Sequence, residues 1–126
     1  MTISLNIQSY KRVGSVLTKE VFGKDALIWV HEFEVDDYRE VYGDCVRVLP
    51  DSLRGNLPKV KNYILDQDKN DVCVLLDDDI KGIKYWENKE AIVEKDLVGF
   101  INKYSIMCDD LGFKLWGINL NQDKQV

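Results

Sequence analysis

No stretch of this sequence is apolar for long enough to cross a membrane, and the N-terminus lacks the charged-then-apolar order of a secretion signal. Repeats, low-complexity tracts and linker-like segments are absent as well. Cysteine is scarce: Cys45, Cys73 and Cys108 are odd in number and show no CxxC spacing. They read as reduced, mostly buried thiols, which suits a cytoplasmic protein. Positive charge is not in excess either. The net charge of −5 leaves no general basic field. That argues against a chain whose main task is gripping nucleic-acid backbone, although a local basic patch is compatible with it.

What remains is ordinary for one globular domain spanning residues 1–126, with 45% hydrophobic and 31% charged residues. Short apolar runs alternate with helical patterns, which predicts an α/β fold with a largely parallel sheet. Strands are expected over 3–8, 26–30, 45–49 and 72–76. A short helix presents Val13, Val16, Leu17 and Val21 and ends at Gly23. A second covers 36–42 and closes at Gly43. Pro58 suits the first turn of a third helix that runs to about residue 66 and faces the core with Val60, Ile64 and Leu65. Residues 81–86 read as a short strand near the edge. The longest helix is expected over 94–111, with Leu97, Phe100, Ile101, Tyr104, Met107, Cys108 and Leu111 as its stripe and Gly112 as its stop. A last strand is expected over 113–120. Trp86 and Trp116 read as core or cleft-wall aromatics.

The chemistry concentrates at Asp77, Asp78 and Asp79. They follow an apolar run that reads as a central strand, and ligands of open parallel sheets bind beyond the carboxyl ends of strands. Three adjacent carboxylates repel one another. A divalent cation, Mg²⁺ or Mn²⁺, offsets that repulsion and accepts carboxylate and phosphate oxygens. The run therefore fits a metal-bridged diphosphate. The plain alternative is a solvated acidic turn.

Residues 55–62 (Gly-Asn-Leu-Pro-Lys-Val-Lys-Asn), then a helix, then the apolar strand and Asp77-Asp78-Asp79, resemble the heart of GT-A-type glycosyltransferases. Ile7-Gln8-Ser9-Tyr10-Lys11-Arg12 is similar to that group's first strand and loop, often Pro-Thr-Tyr-Asn-Arg, with Gln in place of Pro and Lys at the fourth position. Val30-His31-Glu32, a Tyr-Arg-Glu helix and the Leu-Pro-Lys-Val-Lys-Asn segment look most like the TET-associated glycosyltransferases of phages, which are thought to glycosylate modified pyrimidines in DNA.

The resemblance implies a Rossmann-like, GT-A-type sheet with helices on both faces, and a nucleotide-diphosphate sugar as donor. Ser9, Tyr10 and Arg12 would line the nucleotide, and Glu32 would lie near the base or ribose. Lys59 and Asn62 would face the nucleotide or diphosphate. Asp77 would approach the ribose, Asp78 would join the nucleotide site, and Asp79, with Asp77, would hold a Mn²⁺ or Mg²⁺ ion. DNA is the candidate acceptor. Bland readings stand beside these. Lys59 and Lys61 could be solvated, Arg12 could simply start a helix, Glu32 could be a surface residue and Asn62 a local contact. His31, the single histidine, reads as a packed imidazole rather than a catalytic one.

An acceptor half normally follows the acidic motif in such enzymes. Asp109, Asp110 and Asp123 are the only late acids here. The sequence therefore reads as an incomplete GT-A fold that binds nucleotide without transferring sugar, or one completed by another chain pairing on an exposed sheet edge. A nucleotidyltransferase of related architecture would want a glycine-rich loop after the first strand, where Gly14 stands alone. A non-catalytic interaction domain or receiver-like module is the other alternative, but a receiver needs acids after its first strand, where this chain has Gln8-Ser9-Tyr10.

Overall fold

The computed structural model describes residues 1–118, and its core is a parallel four-stranded sheet. Strand β1 (Ile3–Gln8) leads through helix α1 (Leu17–Phe22) to β2 (Ala26–His31). Helix α2 (Val35–Tyr42) leads to β3 (Val46–Leu49), and α3 (Leu57–Gln67) leads to β4 (Val72–Leu76). A hairpin of β5 (Lys84–Glu87) and β6 (Glu90–Val93) follows, and then the long helix α4 (Leu97–Asp110). The strand order is β3-β2-β1-β4. The chain thus winds outward from β1 to β3, then crosses back to place β4 on the other side of β1. The expected Rossmann-like α/β fold is present.

Strand alternation divides the apolar residues between two layers. Leu5, Ile7, Ala26, Ile28, Val30, Val46 and Leu76 pack against Val16 and Phe22 at α1, Val35 and Tyr38 on α2, and Leu97 and Ile101 on α4. On the opposite face Trp29 and Leu49 meet Val60 and Ile64 of α3. Full burial of each such Ile or Leu side chain contributes about 1.5–3 kcal/mol. The second face also holds a buried polar residue, Asn6. It is 1% exposed, accepts from Trp29 Nε1 at 3.0 Å and donates to the Val74 carbonyl at 3.3 Å.

Local signals set the helix ends. Asn56 caps α3 by accepting from the Lys59 amide at 3.2 Å, with Pro58 in the first turn. Asp96 caps α4 through the Gly99 amide at 2.9 Å. Gly23 and Gly43 stop α1 and α2 at φ of 83° and 75°, which a β-carbon would oppose.

Several expectations need correction. β4 is an edge strand of the described sheet rather than a central one, because the crossover after β3 carries it past β2 to pair with β1 alone. The strand expected over 81–86 starts only at Lys84 and pairs with β6 in a separate two-stranded sheet. Its Trp86 is half exposed rather than core. Residues 113–118 form no strand, and 119–120 lie outside the described residues, as does Asp123. Val13 precedes α1 and is exposed, as are Leu65, Met107 and Leu111, because each lies off the line of contact with the sheet.

Candidate functional site

The strand order reverses at β1: the chain runs out to β3, then crosses back through α3 to place β4 on the other side of β1, and open α/β sheets bind ligands beyond the carboxyl ends at such a reversal. A cleft of about 510 Å³ lies there. Register decides which residues meet in it. Ile7 pairs with Leu76, so the loop after β1 emerges beside the acidic run after β4. Gln8, Ser9, Tyr10 and Arg12 line the cleft from the first side, and Asp77, Asp78 and Asp79 from the second. His31 and Leu49, at the ends of β2 and β3, form its floor with Gly55, Asn56, Leu57 and Val60 at the start of α3.

The loop after β1 is held by a directed chain of hydrogen bonds. Ser9 is buried, and its Oγ donates to Asp78 Oδ2 at 2.9 Å. With that proton committed, Ser9 Oγ must accept from the Tyr38 hydroxyl at 2.8 Å. Tyr38 in turn accepts from the Arg12 amide at 2.9 Å. Burial pushes the Tyr38 phenol above its ordinary range, which keeps its donor proton in place. The Arg12 guanidinium closes the circuit, with Nε 3.4 Å from Asp78 Oδ1. Lys11 sits between them at φ 53°, a conformation that costs a side-chain-bearing residue about 1–2 kcal/mol. Its amide donates to Glu34 Oε1 at 2.8 Å, which helps to hold that shape. Glu34 is 6% exposed, and burial raises its carboxyl above the ordinary range.

Thr18 holds the acidic run from beneath. Its hydroxyl donates to the Asp77 carbonyl and accepts from the Ile80 amide at 2.9 Å. The Thr18 amide reaches the Asp78 carbonyl at 3.4 Å. Asp78 is turned inward and both its oxygens are engaged, whereas the Asp77 and Asp79 side chains are exposed on the cleft. Among the described residues no three His, Cys, Asp or Glu side chains converge to hold a metal ion. The donor set at hand is the Asp77 and Asp79 carboxylates, two hard oxygen ligands. That suits Mg²⁺ or Mn²⁺ with a phosphate and water completing the shell, which is how Mg²⁺ is usually bound. The donors therefore fit a cation shared with a diphosphate but not a closed protein cage.

An aromatic group stands at the other end of the cleft. Tyr10 meets His31 and Phe33 edge-on, with ring centroids 6.1 Å and 5.9 Å apart. Arg54 lies over Phe33 at 4.1 Å. A hydrogen bond from Arg54 is the main cause that lowers the Tyr10 phenol below its ordinary range. His31 is 5% exposed, with Nδ1 3.2 Å from the Pro50 carbonyl. A carbonyl only accepts, so Nδ1 carries the proton and, in the neutral ring, Nε2 is an acceptor.

The structure thus brings Ser9, Tyr10, Arg12, Asp77, Asp78 and Asp79 together. Glu32, Lys59 and Asn62 are exposed and do not line the cleft. Glu32 accepts from the Asp51 amide at 3.2 Å and so braces the loop after β3. Residues to which the sequence reading gave no part in the site are Thr18, Glu34 and Tyr38, together with the cleft-lining Gln8, Asn56, Leu57 and Val60. A signal was available only for Asn56, whose position two residues before a proline marks a helix cap.

A family model described as TET-Associated Glycosyltransferase matches residues 3–117 of the chain. No curated protein and no solved structure matches it.

Proposed function

The chain belongs to the TET-associated glycosyltransferase family, and on that premise we propose that its cleft binds a nucleotide-diphosphate sugar together with a divalent cation, for transfer to a modified pyrimidine of DNA. The observation that carries this reading is the meeting of two loops at the strand-order reversal. One offers Arg12 and the other two free carboxylates, Asp77 and Asp79. Crevices of this kind accept nucleotides in open α/β sheets.

In this reading Ser9, Tyr10 and Arg12 line the nucleotide side, and Asp77 and Asp79 hold the metal. When the anomeric carbon–oxygen bond breaks, negative charge collects on the departing diphosphate. A bound Mg²⁺ or Mn²⁺ would supply Lewis-acid stabilisation of that charge. Arg12 adds a fixed positive group, already oriented by Asp78, at no cost in reorganisation. Asp78, whose oxygens face Ser9 and Arg12, orients those two residues toward the nucleotide in this reading. The anomeric carbon needs a nucleophilic acceptor atom, and a hydroxyl carried by the modified base would supply one. The fold's net negative charge means that DNA must be engaged by a local surface rather than by a general field.

Calorimetric titration with UDP, with and without Mn²⁺, tests the reading. Binding should require the metal, and Asp79→Ala should weaken it at least tenfold, the order expected when one carboxylate ligand is lost. Equal UDP affinity in the wild type and Asp79→Ala would remove the metal role.

A further inference from the structure

We infer that Thr18 and Tyr38, neither of which can touch a ligand, are positioning residues that set how strongly the cleft takes up its metal. The inference rests on the proposed reading of the cleft and extends it to residues buried beneath. Both side chains are 0% exposed. Thr18 is bound to the acidic run directly, and Tyr38 reaches it through Ser9.

Three consecutive carboxylates repel one another, and an unrestrained loop would spread them apart. Thr18 prevents this through the backbone. Its hydroxyl spans the loop from the Asp77 carbonyl to the Ile80 amide, and its own amide reaches the Asp78 carbonyl. Tyr38 acts through a side chain. Its hydroxyl fixes Ser9 Oγ, and Ser9 holds Asp78 Oδ2 at 2.9 Å. With Arg12 on the other oxygen, Asp78 is kept turned inward. The residues on either side then present their carboxylates to the cleft. The middle acid is the anchor, and the outer two are free to bind. Groups that orient metal ligands in this way usually change metal affinity 10–100-fold when removed.

The test compares Thr18→Val, which keeps the shape and deletes the hydroxyl, with Thr18→Ser, which restores it. UDP binding is measured by calorimetry over a series of Mn²⁺ concentrations, alongside hydrogen exchange at the Ile80 amide. In Thr18→Val the Ile80 amide should exchange faster, and the Mn²⁺ concentration for half-maximal UDP binding should rise about tenfold. Thr18→Ser should return it to within about twofold of wild type. Tyr38→Phe leaves the ring in place and reads the same quantity from the other side, so a poorly folding Thr18→Val does not end the test. It should move the Mn²⁺ requirement in the same direction. A Mn²⁺ requirement unchanged in a folded Thr18→Val or in Tyr38→Phe overturns the inference. So does an equal loss in Thr18→Val and Thr18→Ser, since the hydroxyl then is not what matters. If the unsubstituted chain shows no Mn²⁺-dependent UDP binding, the reading of the cleft fails and takes this inference with it. A wild type that binds, but with indifference to both residues, sinks the inference alone.

Discussion

At Glu34 a carboxyl group sits almost out of reach of water, with one oxygen on the Lys11 amide and the other without a partner. Burial outweighs the nearby Lys11, His31 and Arg54 charges and raises its pKa above the ordinary 4.5. Folding therefore favours the protonated form. Its contribution to stability is complete below pH about 4.5 and is lost as pH rises through the raised folded-state value. Glu34→Gln keeps an acceptor for Lys11 but cannot ionise. It should unfold at a higher urea concentration than wild type at pH 7, with the gap closing as pH falls toward 4. A gap that stays constant with pH would show that ionisation at this position carries no penalty. The same few residues explain what was legible at this scale. Asp77–Asp79 could be found because charged groups directly after an apolar strand are a local pattern, and Ser9, Tyr10 and Arg12 through the family resemblance of the loop after the first strand. Glu34 could not, because it lies two residues from Glu32 in a 3-10 turn, where the strand rule of alternating faces no longer applies. Thr18 and Tyr38 act on partners 26 to 62 positions away, which no spacing along the chain reveals.

Elements are legible where hydrophobicity alone defines them. β1 and β4 start and stop where their apolar or alternating runs do, and α3 starts where Asn56 and Pro58 say it should. What periodicity cannot supply is the order in which strands pair, so β4 was expected inside the sheet. The α4 stripe is similarly informative only over the sheet. Leu97, Ile101, Ser105 and Cys108 are buried at helical spacing, whereas Met107 and Leu111 lie on exposed parts of the last turns. The β5–β6 hairpin is legible only as one short edge strand over 81–86, because its faces are mostly exposed and carry little apolar contrast. Its turn is well defined, with Asn88 and Lys89 at φ of 52° and 67°. Two central residues at positive φ make a two-residue turn of the kind that favours Asn-Gly. Asn suits the first position and Lys strains the second. Lys89→Gly should stabilise the hairpin by about 0.5–1 kcal/mol, less a little for the added freedom of glycine when unfolded. Slower amide exchange across the Tyr85–Ile92 and Trp86–Ala91 pairs would register it. Unchanged or faster exchange there would mean that the turn is not what limits hairpin opening.

At the scale of the whole molecule, the cleft exists only when the chain is folded, because its walls come from the ends of all four parallel strands and from α3. A domain of this size is held by about 5–15 kcal/mol. Anything that binds the folded cleft and not the unfolded chain must therefore show in thermal stability. At a ligand concentration a hundredfold above Kd, the gain is about 2.7 kcal/mol. For a domain of this length that corresponds to roughly 5–15 °C in Tm. UDP and Mn²⁺ together should produce such a shift, and either alone should produce much less, because the carboxylates need the cation and the cation needs the diphosphate to fill its shell. Asp79→Ala separates this from a general salt effect. Asp79 is exposed and caps nothing, so its removal should leave the unliganded Tm almost unchanged and cut the ligand-induced rise to about half or less. Equal stabilisation of wild type and Asp79→Ala by the pair would instead mean that UDP is held elsewhere on the molecule, and that the crevice between β1 and β4 serves another purpose.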